Sequence, residues 1–375
     1  MQSSISRDDV SLLDAPPFQI ADNVMDLNNL KNLGLQTMES RMTPVYQAEP
    51  GGSFSHHSGM IVFKDRLYCS WSGGKEVEDG SGQWIYYRST TDGEDWSDLR
   101  ILAKPPGGDR FVSAGFHATP NMLVAYFTHA KEGVHNLRHP DTALCAVTSE
   151  DGEHWSEPKR LIDGFFIEGP LRLPSGRLLM GGEHVEFDQH QTRMRLIYTD
   201  QPDGLSDWKV AEIHPELSQP KGLRIFDYTE CCPFVRADGT VVAPFRNYSG
   251  HLYASTSRDE GKSWSVPVET NFPDSMARFS TGTLPDGQTW LINNPGPGRN
   301  NRSFLTLALS RDGILFDRAW LLHGEPTSMR FPGKDKTNGW QYPHARVWKD
   351  HLFISYSVNK EDVMVSRIPL KALSL

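Results

Sequence analysis

One short phrase recurs along this chain at a nearly constant interval, and it restricts the fold more than any other feature. Its fullest copy is Ser257-Arg258-Asp259-Glu260-Gly261-Lys262-Ser263-Trp264. Shorter copies read Thr90-Thr91-Asp92-Gly93-Glu94-Asp95-Trp96, Ser149-Glu150-Asp151-Gly152-Glu153-His154-Trp155 and Ser310-Arg311-Asp312-Gly313-Ile314-Leu315-Phe316. A degenerate copy, Asp203-Gly204-Leu205-Ser206-Asp207-Trp208, lies between the second and fourth. The closing aromatics recur about every 50 to 60 residues, the upper edge of repeat periods and long enough for one four-stranded propeller blade each. In each phrase Asp accepts bonds from nearby backbone N–H groups, Gly takes positive φ, and the aromatic returns to pack. The phrase is a hairpin turn with its own anchor, and its carboxylate is already occupied.

Between the phrases the order of elements is constant: an extended segment, a Gly-containing turn, two further strands, then the Asp turn. The third unit shows it as Gly169-Pro170-Leu171-Arg172-Leu173, the turn Pro174-Ser175-Gly176, and Arg177-Leu178-Leu179-Met180-Gly181-Gly182. Short strands punctuated by Gly, Pro and Asp predict an all-β chain. A sixth unit opens at Tyr342-Pro343-His344-Ala345-Arg346-Val347-Trp348 and supplies three strands. The missing one is expected from Thr43-Pro44-Val45-Tyr46-Gln47, since closing the ring removes an exposed edge. The expected architecture is a six-bladed β-propeller over residues 41–375, closed by an N-terminal strand. Residues 1–40 form an extension, with a short helix near Val24–Leu30.

A net charge of −9 argues against a nucleic-acid or anionic-membrane surface, so an anionic ligand would need local Arg or Lys. No apolar run approaches the roughly 20 residues that span a bilayer. The N-terminus has no hydrophobic stretch of signal-peptide type, so the chain as given reads as cytoplasmic, and as secreted or periplasmic only if a signal was removed. Cys69, Cys145, Cys231 and Cys232 sit in apolar strand patterns and read as buried thiols.

In a propeller the first strand of each blade lines the central channel. Polar residues at those starts are His56, His57, His117, Glu168, Tyr228, Glu230, Arg278, Tyr342 and His344; neighbouring loops add Glu76, Glu78, Asp79, Arg246, Arg299 and Arg302. Glu230 is a carboxylate among apolar residues and calls for a partner or a function. His56 and His57 are adjacent, so in a regular strand one of them at most faces a ligand. Trp340, in a Gly-rich approach to Tyr342, is a candidate for stacking on a sugar ring. No zinc phrase surrounds the histidines, so no metal or other cofactor is expected.

The repeated Asp phrases, known as Asp boxes, together with this order of residues resemble the sialidase (neuraminidase) superfamily over about residues 45 to 370. In that family a Tyr activated by a Glu attacks the anomeric carbon, an Asp is the acid/base, and three Arg grip the substrate carboxylate. The resemblance implies Tyr342 as nucleophile, Glu230 as its activator, and Asp79 or its neighbour Glu78 as acid/base. It implies Arg246 as the second and Arg302 as the third carboxylate ligand, with Arg299 competing with Arg302 for the third. His56, His117, His344 and Trp340 complete the candidate substrate contacts. The chain departs from the family in its first blade, where His56-His57-Ser58-Gly59 replaces a Phe/Tyr-Arg-Ile-Pro phrase and His57 takes the place of the first Arg. An imidazole does not offer the bidentate fork of a guanidinium. The expected partner is therefore a glycan carrying an acidic sugar, either sialic acid or another such as a uronic acid. Exo-acting hydrolysis is the leading expectation. Elimination on a uronate, with His57 or His117 as base, resembles the rhamnose-glucuronate lyases and stands as an alternative, as does a noncatalytic glycan- or protein-binding propeller.

Overall fold

The computed structural model describes residues 16–26, 28–29, 32–133, 137, 139–185, 194–213, 228–296 and 298–374. Its strands form six radial sheets around an axis, as the repeats require. The first blade runs outward through Phe54–Phe63, Arg66–Gly74, Trp84–Thr90 and Arg100–Ala103. The second uses Arg110–Ala118, Leu123–Ala130, Ala143–Ser149 and Lys159–Asp163. In the third the inner strand is broken into Phe165–Phe166 and Leu171–Arg172, both paired with Leu178–Glu183, followed by Met194–Thr199 and Lys209–Val210. The fourth is Phe234–Val235, Val241–Phe245, His251–Ser257 and Val268–Pro273, and the fifth Ser280–Thr283, Thr289–Asn293, Leu305–Ser310 and Leu315–His323. The sixth takes Trp340–Trp348, His351–Val358 and Asp362–Pro369 from the end of the chain and Arg41–Tyr46 from its beginning. That last pairing is antiparallel, with Thr43 opposite Val365, and closes the ring as expected. Among the described residues the helical content is one 3-10 turn at Leu370–Ala372.

Each blade buries both faces, so its middle strands are apolar on both sides. In the second strand of the sixth blade, Leu352, Ile354 and Tyr356 face the fifth blade while Phe353 faces the first. Six apolar clusters fill the six junctions between blades. The cysteines belong to this core as buried thiols, and burial raises Cys145 to a pKa of about 11 and Cys232 to about 12.

The Asp boxes close the outer hairpins and brace the junctions. Asp92 Oδ1 accepts from the backbone N–H of Glu94 at 2.8 Å and of Asp95 at 2.9 Å, and the hydroxyl of Thr90 donates to it at 2.9 Å. These bonds hold its pKa down at about 2. Asp151, Asp259 and Asp312 repeat the arrangement. At Gly152 (φ 77°) a Cβ would stand 2.1 Å from the hydroxyl of Tyr68 in the preceding blade. Glycine is thus required there by conformation and by contact.

The described part of the N-terminal extension packs outside the ring. Gln19–Ile20 pairs in parallel with Leu315–His323, and Phe18, Met25 and Leu33 join the cluster between the fourth and fifth blades. Val24 and Met25 lie in a bend rather than the expected helix; Leu27 and Leu30 fall outside the described residues.

Candidate active site

At one mouth of the channel the backbone departs from regular strand. Pairing slips between His56 and Gly59 in the first blade and between Gln341 and His344 in the sixth. His57 (φ 53°) and Tyr342 (φ 54°) are left-handed at these bulges, and Asp79 (φ 53°), Tyr228 (φ 59°) and Met276 (φ 58°) adopt the same conformation. Each such residue costs about 1–3 kcal/mol, and bulges re-aim side chains. All five line one cavity of 780 Å³, which also receives Glu78, Glu230, Arg246, Arg299, Arg302, Asp335, Lys336 and Lys360.

Tyr342, Glu230 and Arg246 form the buried centre. Arg246 Nη1 donates to Tyr342 Oη at 2.6 Å and lies 2.7 Å from Glu230 Oε2; Tyr342 Oη donates to Glu230 Oε1 at 3.4 Å. Arg246 Nε donates to the carbonyl of Tyr228 at 2.8 Å. Burial raises the Tyr342 pKa, with Glu230 adding to it and Arg246 opposing. Burial works against the Arg246 charge, but Glu230 and Tyr342 keep it firmly protonated. Arg302 differs: it donates to the carbonyl of Ser275 at 2.9 Å, to the Ser275 hydroxyl at 2.8 Å and to the Met276 carbonyl at 3.0 Å, with no ion pair among the described residues. Its pKa is lowered, chiefly by burial. Arg299 stands at the rim over the ring of Tyr248, 4.6 Å from its centroid, and is exposed. Of the two competing arginines, Arg302 is the one aimed inward from the wall.

The two acid/base candidates separate. Glu78 is bonded to Lys360, whose Nζ also donates to the Asp335 carbonyl at 2.8 Å. Asp79 lines the cavity, with its carbonyl accepting from Arg110 Nη1 at 3.2 Å. The two histidines also separate. His57 lines the cavity, whereas His56 is fully buried behind Tyr342, its ring stacked 3.9 Å from that of the tyrosine. The bulge brings both imidazoles onto Tyr342, His57 edge-on at 5.2 Å, which a regular strand would not do.

Three candidates lie elsewhere. His344 follows Tyr342 beyond the bulge and sits deeper in the channel, where its Nε2 is 3.3 Å from Glu168 Oε1 and its Nδ1 accepts from the Met60 N–H at 3.1 Å. Glu168 is also gripped by Arg278, whose Nη1 reaches across to the Ser58 carbonyl at 3.1 Å. Burial opposes the Glu168 charge, yet Arg278 and His344 hold its pKa at about 2. This cluster plugs the channel. Beyond it a second cavity of 460 Å³ is lined by later residues of the same inner strands, Leu171, Val235, Thr281 and Arg346 among them. His117 is likewise at the end of its strand, bonded to the Pro202 carbonyl at 2.8 Å. Trp340 is core: it stacks on His323 at 4.2 Å and its indole donates to the Glu325 carbonyl at 3.2 Å. The sequence reading placed these three by proximity to a strand start and did not resolve depth along the channel. It also missed Asp335, Lys336 and Lys360, which reach the cavity from loops of the last blade; Lys360 sits on the Asn359-Lys360 turn, both residues with positive φ.

The BNR repeat-like domain pattern matches residues 65–354. The chain belongs to this family. No curated protein matches it. Among solved structures, this BNR-repeat chain is similar to the Trypanosoma rangeli sialidase in complex with sialic acid, at 13% identity and TM-score 0.66 over 90% of this chain and 60% of that one. It is also similar to the intramolecular trans-sialidase of Ruminococcus gnavus in complex with oseltamivir carboxylate, at 11% identity and TM-score 0.63 over 89% and 98%. A Dyadobacter fermentans protein of unknown function matches at 14% identity and TM-score 0.67 over 89% and 98%. A further sialidase matches at 17% identity and TM-score 0.57, and this chain spans 35% of its length. The fold is that of a sialidase-like BNR-repeat propeller.

Proposed function

We propose that the protein is an exo-acting glycoside hydrolase that removes an acidic sugar from the end of a glycan. The observation that carries this reading is the contact of Tyr342 Oη with both Glu230 and Arg246 on the wall of a strongly polar cavity. A sugar that bears its own carboxylate repels a carboxylate nucleophile, whereas a phenol approaches uncharged, and sialidases are the known departure from the two-carboxylate scheme. Tyr342 Oη bonds to the anomeric carbon as its proton passes to Glu230, and Arg246 stabilises negative charge on the phenolic oxygen. Asp79 gives a proton to the departing glycosidic oxygen. It then takes one from the water that breaks the sugar–tyrosine bond, while Glu230 returns its proton to the departing phenolic oxygen. Arg302, with no ion pair among the described residues, receives the sugar carboxylate. The test is Tyr342→Phe assayed on aryl glycosides of sialic and uronic acids: turnover should fall by about 10³-fold or more while sugar binding persists, and retained turnover would sink the covalent route.

A second reading is favoured by one observation, the presence of His57 in the cavity wall edge-on to Tyr342. On a uronate, His57 would take the proton beside the carboxylate and Tyr342 would return one to the leaving oxygen. A lyase product carries a double bond that absorbs in the near ultraviolet, so the products of one digest distinguish elimination from hydrolysis.

A further inference from the structure

We propose that His56, His57 and Glu78 bind a divalent first-row metal ion, zinc being the first to test. Each residue offers one ligand atom, and the three atoms lie within 4.8 Å of one another. Tetrahedral ligands at about 2.0–2.2 Å from zinc stand roughly 3.4 Å apart, so the side chains need to close by up to about 1.5 Å. The donor set, two imidazoles and one carboxylate, suits zinc and leaves a coordination position open.

The independent observation is His56. Its ring is fully buried, and neither ring nitrogen makes a hydrogen bond among the described residues. An imidazole left so costs free energy unless something else takes its lone pair. The ring is held in place by its stack on Tyr342 and by the edge of Phe54, and this aims Nε2 at Glu78 Oε1, 3.7 Å away. Lys360 occupies the other oxygen, Oε2. That division fits a metal carboxylate, since ligating carboxylates are themselves hydrogen-bonded from outside. The bulge at His57 supplies the second imidazole from the adjacent residue, which a regular strand cannot do.

The role of the ion rests on the hydrolase reading above. His57 stands where the first carboxylate-binding arginine is expected, and a cation there would restore the missing positive charge by taking one oxygen of the sugar carboxylate. Binding itself is read without sugar, so the two ideas fail separately. Purified protein stripped with chelator and dialysed against Zn²⁺ should retain about one equivalent, and Co²⁺ in its place should give the visible bands of a four- or five-coordinate ion. Glu78→Gln and His57→Gln, checked for native circular dichroism, should each weaken Zn²⁺ binding by at least the about 100-fold that loss of outer-shell partners reaches. Retention of Zn²⁺ at wild-type affinity by both folded variants overturns the proposal. If the variants do not fold, the unmodified protein decides: a cobalt spectrum no different from that of the aqueous ion overturns it equally.

Discussion

Arg302 is the residue whose environment is hardest to explain by structure alone. Burying a guanidinium is expensive, and here carbonyl and hydroxyl oxygens accept its hydrogen bonds, with no carboxylate in ion-pair contact among the described residues. Arg246, by contrast, is satisfied by Glu230. Replacing Arg302 with Met should therefore weaken binding of an acidic sugar by about 30-fold or more, about 2 kcal/mol. A neutral analogue should bind as before, and Arg302→Lys should recover only part, because an ammonium lacks the planar fork. Isothermal titration of the acid and its carboxamide separates these cases. At this scale much of the cavity was legible: Tyr342, Glu230 and His57 lie at blade starts, and Asp79, Arg246 and Arg302 on the loops after second strands, in a register the Asp boxes set. His344 was misplaced because a bulge of one residue changes which side chains share a level, and a bulge leaves little trace in residue types. Lys360 was missed because a hairpin tip in the last blade carries no mark of what it faces.

The repeated turn acts at the scale of the element. Its glycine is pinned twice, by φ and by the preceding blade, whereas Gly176 (φ 95°) has the first constraint and, among the described residues, nothing within 4 Å for the second. Gly176→Ala should cost about 1–2 kcal/mol, the price of a left-handed alanine. Gly152→Ala should cost more, about 2–4 kcal/mol, since the new methyl also drives Tyr68 from its place. Urea unfolding of the two variants measures the difference, and equal losses would mean that the boxes do not brace the junctions. The fold was readable because everything the Asp phrase needs is contained within one turn, and a local signal survives without knowledge of distant partners. The expected helix at Val24–Leu30 had no such self-contained support; Val24 and Met25 instead pack on the junction between the fourth and fifth blades.

Across the whole molecule, Glu168 of the third blade holds Arg278 before the fifth and His344 of the sixth, and Arg278 reaches Ser58 of the first. Four sectors of the ring thus meet at one carboxylate. Glu168→Gln leaves a buried guanidinium uncompensated and should destabilise the fold by about 3–5 kcal/mol at pH 7. The folded pKa of about 2 is below the ordinary 4.5. The stability it contributes is therefore complete above about pH 4.5 and disappears as pH falls toward 2. The gap between wild type and variant should narrow over that window in unfolding titrations, and a constant gap would assign the loss to packing instead. The seam of the sixth blade has a different kind of consequence, one of timing. Ala48, just past the closing strand, hydrogen-bonds to Asp362, 314 residues further along the chain. At about 5–20 residues per second a ribosome needs roughly 15–60 s to cover that distance. For all of that interval the closing strand Arg41–Tyr46 has no partner, and the nascent chain depends on whatever shields it until the last blade arrives.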